Sequence, residues 1–239
     1  MTRLARGTAL LTSTLGLAAL LAACGGGGGG GGDGAAAIQP TALQVQVELS
    51  REMDDVLGIT GVEWYVAVSK DGLGLNNATV AVNGIPVPRV VGFVDGYYDL
   101  TSDAPNGATF TPGASYTVSV TVDGVAYTDT LTAPGGITLA ADGGSASWTA
   151  PADYATVDVD HRYGSKTWGV PSARPGHLDS PQAVPSSAYP SAGDYTLTVW
   201  LQNHRWPAGA QVGQGYFASL AGTRTSFVVN DYRRRLVTR

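Results

Sequence analysis

The chain has 239 residues, with 14 lysines and arginines against 19 acids and a formal net charge of −5. That balance argues against a nucleic-acid partner, which needs a basic patch. A single cysteine excludes an intramolecular disulfide framework, so folding must rest on apolar burial.

Arg3 and Arg6 open the chain, and a mostly apolar stretch carrying Leu10, Leu11, Leu15, Leu17 and Leu20 follows, ending in small residues. It is too short for a comfortable membrane span and reads as an export signal. Leu21, Ala22, Ala23 and Cys24 close it. This run resembles the lipobox of bacterial lipoproteins at every position. The resemblance implies a signal peptide over 1–23, cleavage before Cys24, and lipidation of Cys24. Several acyl chains, each buried CH₂ worth about 0.8 kcal/mol, make such an anchor stable. Gly25 follows the cysteine where the family's inner-membrane retention signal has Asp. The resemblance therefore implies an outer-membrane destination in a cell that has one.

Gly25 to Gly32 is an unbroken glycine run. It lacks the preceding strand and following Lys-Ser/Thr of a phosphate loop. Its composition is that of a tether, assigned to 24–40. Loss of the signal with its two arginines leaves twelve bases against nineteen acids, a mature charge of −7.

Alternation of period two dominates from residue 43 onward. Leu43, Val45, Val47 and Leu49 share one face; Val62, Trp64, Val66 and Val68 share another; Tyr116, Val118, Val120 and Val122 a third. Such alternation predicts half-buried antiparallel strands. Asn83-Gly84 and Asp123-Gly124 separate such runs and predict two-residue hairpins. Only 50–57 has the character of a helical turn.

Two segments 79 positions apart can be superposed: Phe110 with Pro112, Gly113 and Tyr116, and Tyr189 with Pro190, Gly193 and Tyr195. Each has a ring, a Pro/Gly corner and a tyrosine six residues after the ring, then an alternating strand. This resembles the tyrosine corner of immunoglobulin-like and fibronectin type III sandwiches, which implies that Tyr116 and Tyr195 open strand F of their domains. The predicted fold class is all-β, two tandem antiparallel β-sandwich domains. The first, immunoglobulin-like, spans 41–133; the second, fibronectin type III-like, spans 134–231, with strands over 137–140, 146–151 (carrying Trp148), 155–163, 194–202 and 223–229. A basic tail, 232–239, is read as solvated or touching the membrane.

Chemistry is sparse. There is no Gly-x-Ser-x-Gly elbow, no Cys-x-x-Cys and no His-Glu-x-x-His. Asp158 and Asp160 fall on the solvent side of an alternating strand, and Asp54-Asp55 lies in a polar connection. The expectation is that the protein has no catalytic residues, no metal and no cofactor. Trp168, Trp200, His204, Arg205 and Trp206 form the candidate binding surface, since exposed rings beside polar groups suit glycan stacking or protein docking. The leading expectation is a non-enzymatic, membrane-anchored envelope lipoprotein that binds or scaffolds through its sandwich loops. Its partners would be the membrane, through Cys24, and an envelope protein or glycan. Alternatives are a cell-surface carbohydrate-binding module stacking sugars on Trp168, Trp200 and Trp206, and a hydrolase or metal enzyme using His161, His177 and His204.

Overall fold

The computed structural model describes residues 43–171, 179–205, 218–220 and 223–239. Cys24, His177 and Trp206 lie outside the described residues, as does the whole of the signal and tether. The described chain is all-β. In order the strands are β1 (Leu43–Asp54), β2 (Ile59–Lys70), β3 (Leu73–Gly74), β4 (Thr79–Val82), β5 (Ile85–Pro86), β6 (Tyr97–Thr101), β7 (Ser115–Val122) and β8 (Val125–Thr132). They continue as β9 (Thr138–Leu139), β10 (Ser145–Ser147), β11 (Tyr154–His161), β12 (Lys166–Pro171), β13 (Gln182–Ala183), β14 (Asp194–Arg205), β15 (Ala218–Leu220) and β16 (Thr223–Thr238).

Local turn chemistry sets the hairpins. Asn83-Gly84 and Asp123-Gly124 both take left-handed φ at the two central positions, 50° and 79° for the first pair and 50° and 77° for the second. These turns match the right-handed twist of the strands they join, β4 to β5 and β7 to β8. Asp71-Gly72 does the same between β2 and β3, with φ of 55° and 78°. The helical turn expected over 50–57 does not form. Residues 50–54 pair on both sides, with β2 and with β16, and two ladders of backbone hydrogen bonds outweigh a marginal local preference.

Nine strands make one sheet in the order β12-β11-β14-β16-β1-β2-β3, with β15 also on β16 and β6 also on β2. Smaller sheets of four strands (β5-β4-β7-β8) and three strands (β13-β10-β9) complete the fold. The four-stranded sheet covers a first core that includes Leu49, Trp64, Val66, Val82, Tyr98 and Val120. The three-stranded sheet covers a second core built on Leu139, Trp148, Val157, Val159, Leu197 and Val199. Phe227 and Val229 of β16 belong to the first core and Val237 to the second. All three have the same parity along β16, so both small sheets lie on one face of the large sheet.

This arrangement alters the expected organisation in two ways. The boundary between the halves, near residue 134, falls inside a fold whose largest sheet draws strands from both. The pairing is also not purely antiparallel, because β1 and β16 run parallel. The segment 232–239, expected as a solvated tail, instead completes β16, paired with β14 as far as Thr238. Its arginines have partners. Arg233 and Arg235 donate from Nη1 to the carbonyls of Ile137 and Leu139, at 3.2 and 2.9 Å. β9 pairs only with β10, so these guanidinium groups serve an otherwise unpaired edge. Arg234 reaches Asp54 at 3.4 Å and Arg233 reaches Asp55 at 3.6 Å.

The two phenols singled out above bond back to the chain. Tyr116 Oη accepts from Thr111 N–H at 2.8 Å and donates to Thr109 O at 3.1 Å. Tyr195 Oη accepts from Ser191 N–H at 3.2 Å and donates to Ser191 O at 3.0 Å. Both rings are buried, so each hydroxyl needs these partners.

Between the two cores sits Asp231, fully buried on the covered face of β16. Arg51 grips it with two bonds, Nε at 2.8 Å and Nη2 at 2.6 Å. The Gly136 N–H also donates to it. Gly135 (φ 124°) passes so close that a β-carbon there would collide with the carboxylate. The Arg51 guanidinium lies 4.8 Å from the centre of the Phe110 ring. Asn203 of β14 adds a second tie, donating to Thr132 O at 2.9 Å and Pro151 O at 3.2 Å. Removing one member of a buried, bidentate pair strands the other. Asp231→Ala is therefore expected to cost about 3 kcal/mol in urea unfolding, and Arg51→Ala/Asp231→Ala less than the two single changes summed. A loss below about 1 kcal/mol for Asp231→Ala would remove this pair from the account.

Candidate binding face

No other described strand lies over the face of the nine-stranded sheet opposite the two cores, although Asp54, Tyr65, Gln202 and Asn230 on it are buried. Its side chains follow from register. Glu48, Ser50, Glu52 and Asp54 of β1 alternate with core residues, and their partners across β16 are Val228, Asn230, Tyr232 and Arg234. Across β14 the same rows continue into His204, Gln202, Trp200 and Thr198, and across β2 into Tyr65, Glu63, Gly61 and Ile59. β6 adds Asp99 and Tyr97, and β11 adds Tyr154, Thr156, Asp158 and Asp160.

The face is strongly acidic. Glu48, Glu52, Asp54, Glu63, Asp99, Asp158 and Asp160 share it with two described cationic side chains, Lys166 and Arg234. The cations pair at one end, Lys166 with Asp158 at 2.7 Å and Arg234 with Asp54 at 3.4 Å. Glu48, Glu63 and Asp99 cluster at the other end without such a partner. Burial, followed by the charges of Asp99, Glu48 and Glu52, pushes the Glu63 carboxyl up to about 7. Burial also raises Asp99, whose Oδ1 is enclosed without a hydrogen-bond partner. Glu48 is raised by burial against the opposing effect of Asn230, which donates to its Oε1 at 2.9 Å. Gln202 in turn donates to Asn230 Oδ1 at 3.0 Å, forming a polar ladder across three strands.

Aromatic rings border these groups. Phe93, Tyr97 and Tyr65 form a row, with centroids 5.0 and 4.7 Å apart. Burial raises the Tyr65 phenol to about 12, the charges of Glu48 and Glu63 adding to the effect. Toward the second core, Trp200 meets Tyr154 edge-on at 5.9 Å. Of these rings Phe93 and Trp200 are exposed while Tyr65 is buried, so stacking area beside the carboxylates comes from the two ends of the face, the kind of surface that recognises sugars or cationic groups.

The candidates read from sequence are distributed unevenly over this geometry. Trp200 is exposed on the open face. His204 lies on the same face, four residues along β14 and so about 13 Å away. Burial lowers its imidazole below the ordinary value, and Asp153, which accepts the His204 backbone N–H at 3.0 Å, opposes that shift. Trp168 is on the other side of the sheet, opposite Val159 and packed against the second core, so it cannot share a surface with Trp200. Arg205 ends β14, and Trp206 lies outside the described residues. His161, opposite Tyr195, stands nine residues along β14 from His204, about 30 Å away. That separation keeps His161 and His204 from sharing one site, and His177 lies outside the described residues. Among the described residues no three His, Cys, Asp or Glu side chains are close enough to hold a metal ion. Sequence reasoning missed Glu48, Glu63 and Asp99. Glu63 and Asp99 are each the only acid on their strand, Glu48 lies four residues from the next acid of β1, and only the pairing of β1, β2 and β6 unites them.

Comparison with family profiles, curated proteins and solved structures finds no match.

The raised Glu63 carboxyl fixes a sign. The folded state holds its proton more tightly than the unfolded state, so stability is lost as pH climbs from about 4.5 to about 7. Glu63→Gln removes that titration. It should leave Tm unchanged at pH 4 and raise it by about 2–4 °C at pH 8, given about 1 kcal/mol after solvent screening. A variant that is no more stable at pH 8 would show that the acidic cluster carries no strain.

Proposed function

We propose that this chain is a membrane-anchored envelope lipoprotein, non-enzymatic, whose two β-sandwich lobes present a binding face. The lobes are read as immunoglobulin-like and fibronectin type III-like sandwiches that share β16. That reading draws support from the two phenol-to-backbone corners at Tyr116 and Tyr195. Anchoring is supported by the Leu21-Ala22-Ala23-Cys24 run and the glycine tether. The binding role rests on one observation: a sheet face that exposes the Trp200 and Phe93 rings and carries poorly compensated carboxylates. Such groups destabilise the folded chain on their own, and perturbed carboxylates of this kind gather at functional sites.

A glycan partner is the second reading, favoured by the exposed Trp200 ring standing against Tyr154. The folded domains then face the periplasm or the exterior, with the lipid in the membrane.

The test has two parts. Full-length protein from the native envelope should enter the detergent phase on cloud-point partition, and Cys24→Ser should stay aqueous. Trp200→Ala, which gives up the contact with Tyr154 at a cost of about 1 kcal/mol, should leave the protein folded at assay temperature while lowering the yield of crosslinked partner or the tryptophan quenching by glycan. Aqueous partition of the full-length protein refutes the anchor. Undiminished capture and quenching by Trp200→Ala refutes this face.

A further inference from the structure

Four of the eight large hydrophobic side chains exposed among the described residues are gathered on two adjoining loops. Leu73 (73 %) follows the β2–β3 turn, and Val91 (79 %), Phe93 (56 %) and Val94 (48 %) lie on the loop leading into β6. The loops are fastened together. Gly96 O accepts from Val68 N–H at 2.9 Å, and Gly96 N–H donates to Asn76 Oδ1 at 2.8 Å. The Asn76 amide also donates to Asp95 at 2.6 Å. Gly74 and Asp95 approach so closely that a β-carbon at position 74 would strike the Asp95 carbonyl. The loop before β6 is itself closed by Val90 N–H donating to Tyr97 O at 2.9 Å. The apolar tips are therefore held out on a braced support, an arrangement that a merely solvated loop does not need.

Their position along the sheet is informative. Leu43, the first residue of β1, pairs with Lys70 immediately before this turn. The tips thus stand at the end of the molecule where β1 begins, nineteen residues after Cys24. A chain of that length reaches at most about 65 Å, which keeps this end within range of the anchor. β16 runs from this end away toward the second core for about 50 Å. A tethered end at such range meets its target at millimolar effective concentration, so weak apolar contacts suffice.

We propose that this end of the first lobe docks on the lipid bilayer, with Val91, Phe93, Val94 and Leu73 entering the headgroup–acyl boundary. The inference rests on the lipid-anchor reading of Cys24. Exposed aliphatic and aromatic tips suit that boundary; the exposed charges beside them in sequence, Lys70 and Arg89 against Asp71 and Asp95, cancel, so the docking is driven by the apolar tips. The contact orients the sheet outward from the membrane, which carries the second lobe with Trp200 away from the surface.

Cys24 is the only cysteine, so once lipidated it leaves no thiol. Full-length Val91→Cys and Phe93→Cys, each spin-labelled at the new thiol, would be placed in vesicles of phosphatidylethanolamine and phosphatidylglycerol. Tyr163→Cys, 84 % exposed at the far end of β11, is the control. The reading is collision accessibility to oxygen against a water-soluble nickel chelate. The inference predicts oxygen favoured at 91 and 93 and nickel favoured at 163. Val91 is almost wholly exposed, so its variant folds even where Phe93→Cys disturbs the ring row with Tyr97. A lipidated Cys24 with position 91 as open to nickel as position 163 overturns the docking inference alone. A Cys24 that remains a free, labelled thiol in the parent chain overturns the anchor reading and the docking with it.

Discussion

Everything in this structure depends on one strand being shared. β16 lies between β1, which it meets in parallel, and β14, which it meets antiparallel. Its first half supplies Phe227 and Val229 to one core and its last turn of alternation supplies Val237 to the other. Between them the covered face must pass from one apolar core to the next through a gap. Asp231, held by Arg51 and Gly136, fills that gap, and Arg233 and Arg235 use the following positions to satisfy the edge of β9. A buried carboxylate is tolerable here because its charge and hydrogen bonds are met on the spot. The pair also fixes register, since a shift of one residue along β16 would turn Asp231 to the open face and Asn230 toward Arg51.

The shared strand gives the molecule two directions. Across the sheet, both small sheets occupy one side, so the two apolar cores are on that side, while the other is polar and acidic, with a row of aromatic rings of which Tyr65 is buried. Along the sheet, β1 starts at the braced apolar loops and β16 ends beyond the second core. The proposed anchor at the start and the proposed recognition face along the length are compatible with a single frame. They would be far less so if the lobes swung independently about a linker, because the orientation of the face would be lost.

Much of the fold is legible in the sequence because it is local. The Asn-Gly and Asp-Gly hairpins, the period-two runs of β1, β2 and β7, and the strands around 155–163 and 194–202 each carry their own signal. β16 is not legible in the same way. Its alternation breaks at Asp231, and Arg233-Arg234-Arg235 has the composition of a solvated tail; only partners contributed by β1, β9 and Asp54 make it a strand. The same limit applies to function. Trp200 is recognisable as out of step with Leu197, Val199 and Leu201. Glu48, Glu63 and Asp99 are not, since sequence separation hides a cluster that strand pairing creates. Trp168 misleads because a β-bulge between Val159 and Asp160 accompanies its turn into the core.

Native-state hydrogen exchange in low urea tests the shared-strand claim most directly. The amides of Val118 in β7 and Val157 in β11 report the two cores separately. If β16 binds both lobes into one unit, their opening free energies and urea dependences converge on a single global value. Two distinct opening energies, with one lobe exchanging while the other stays protected, would contradict the account.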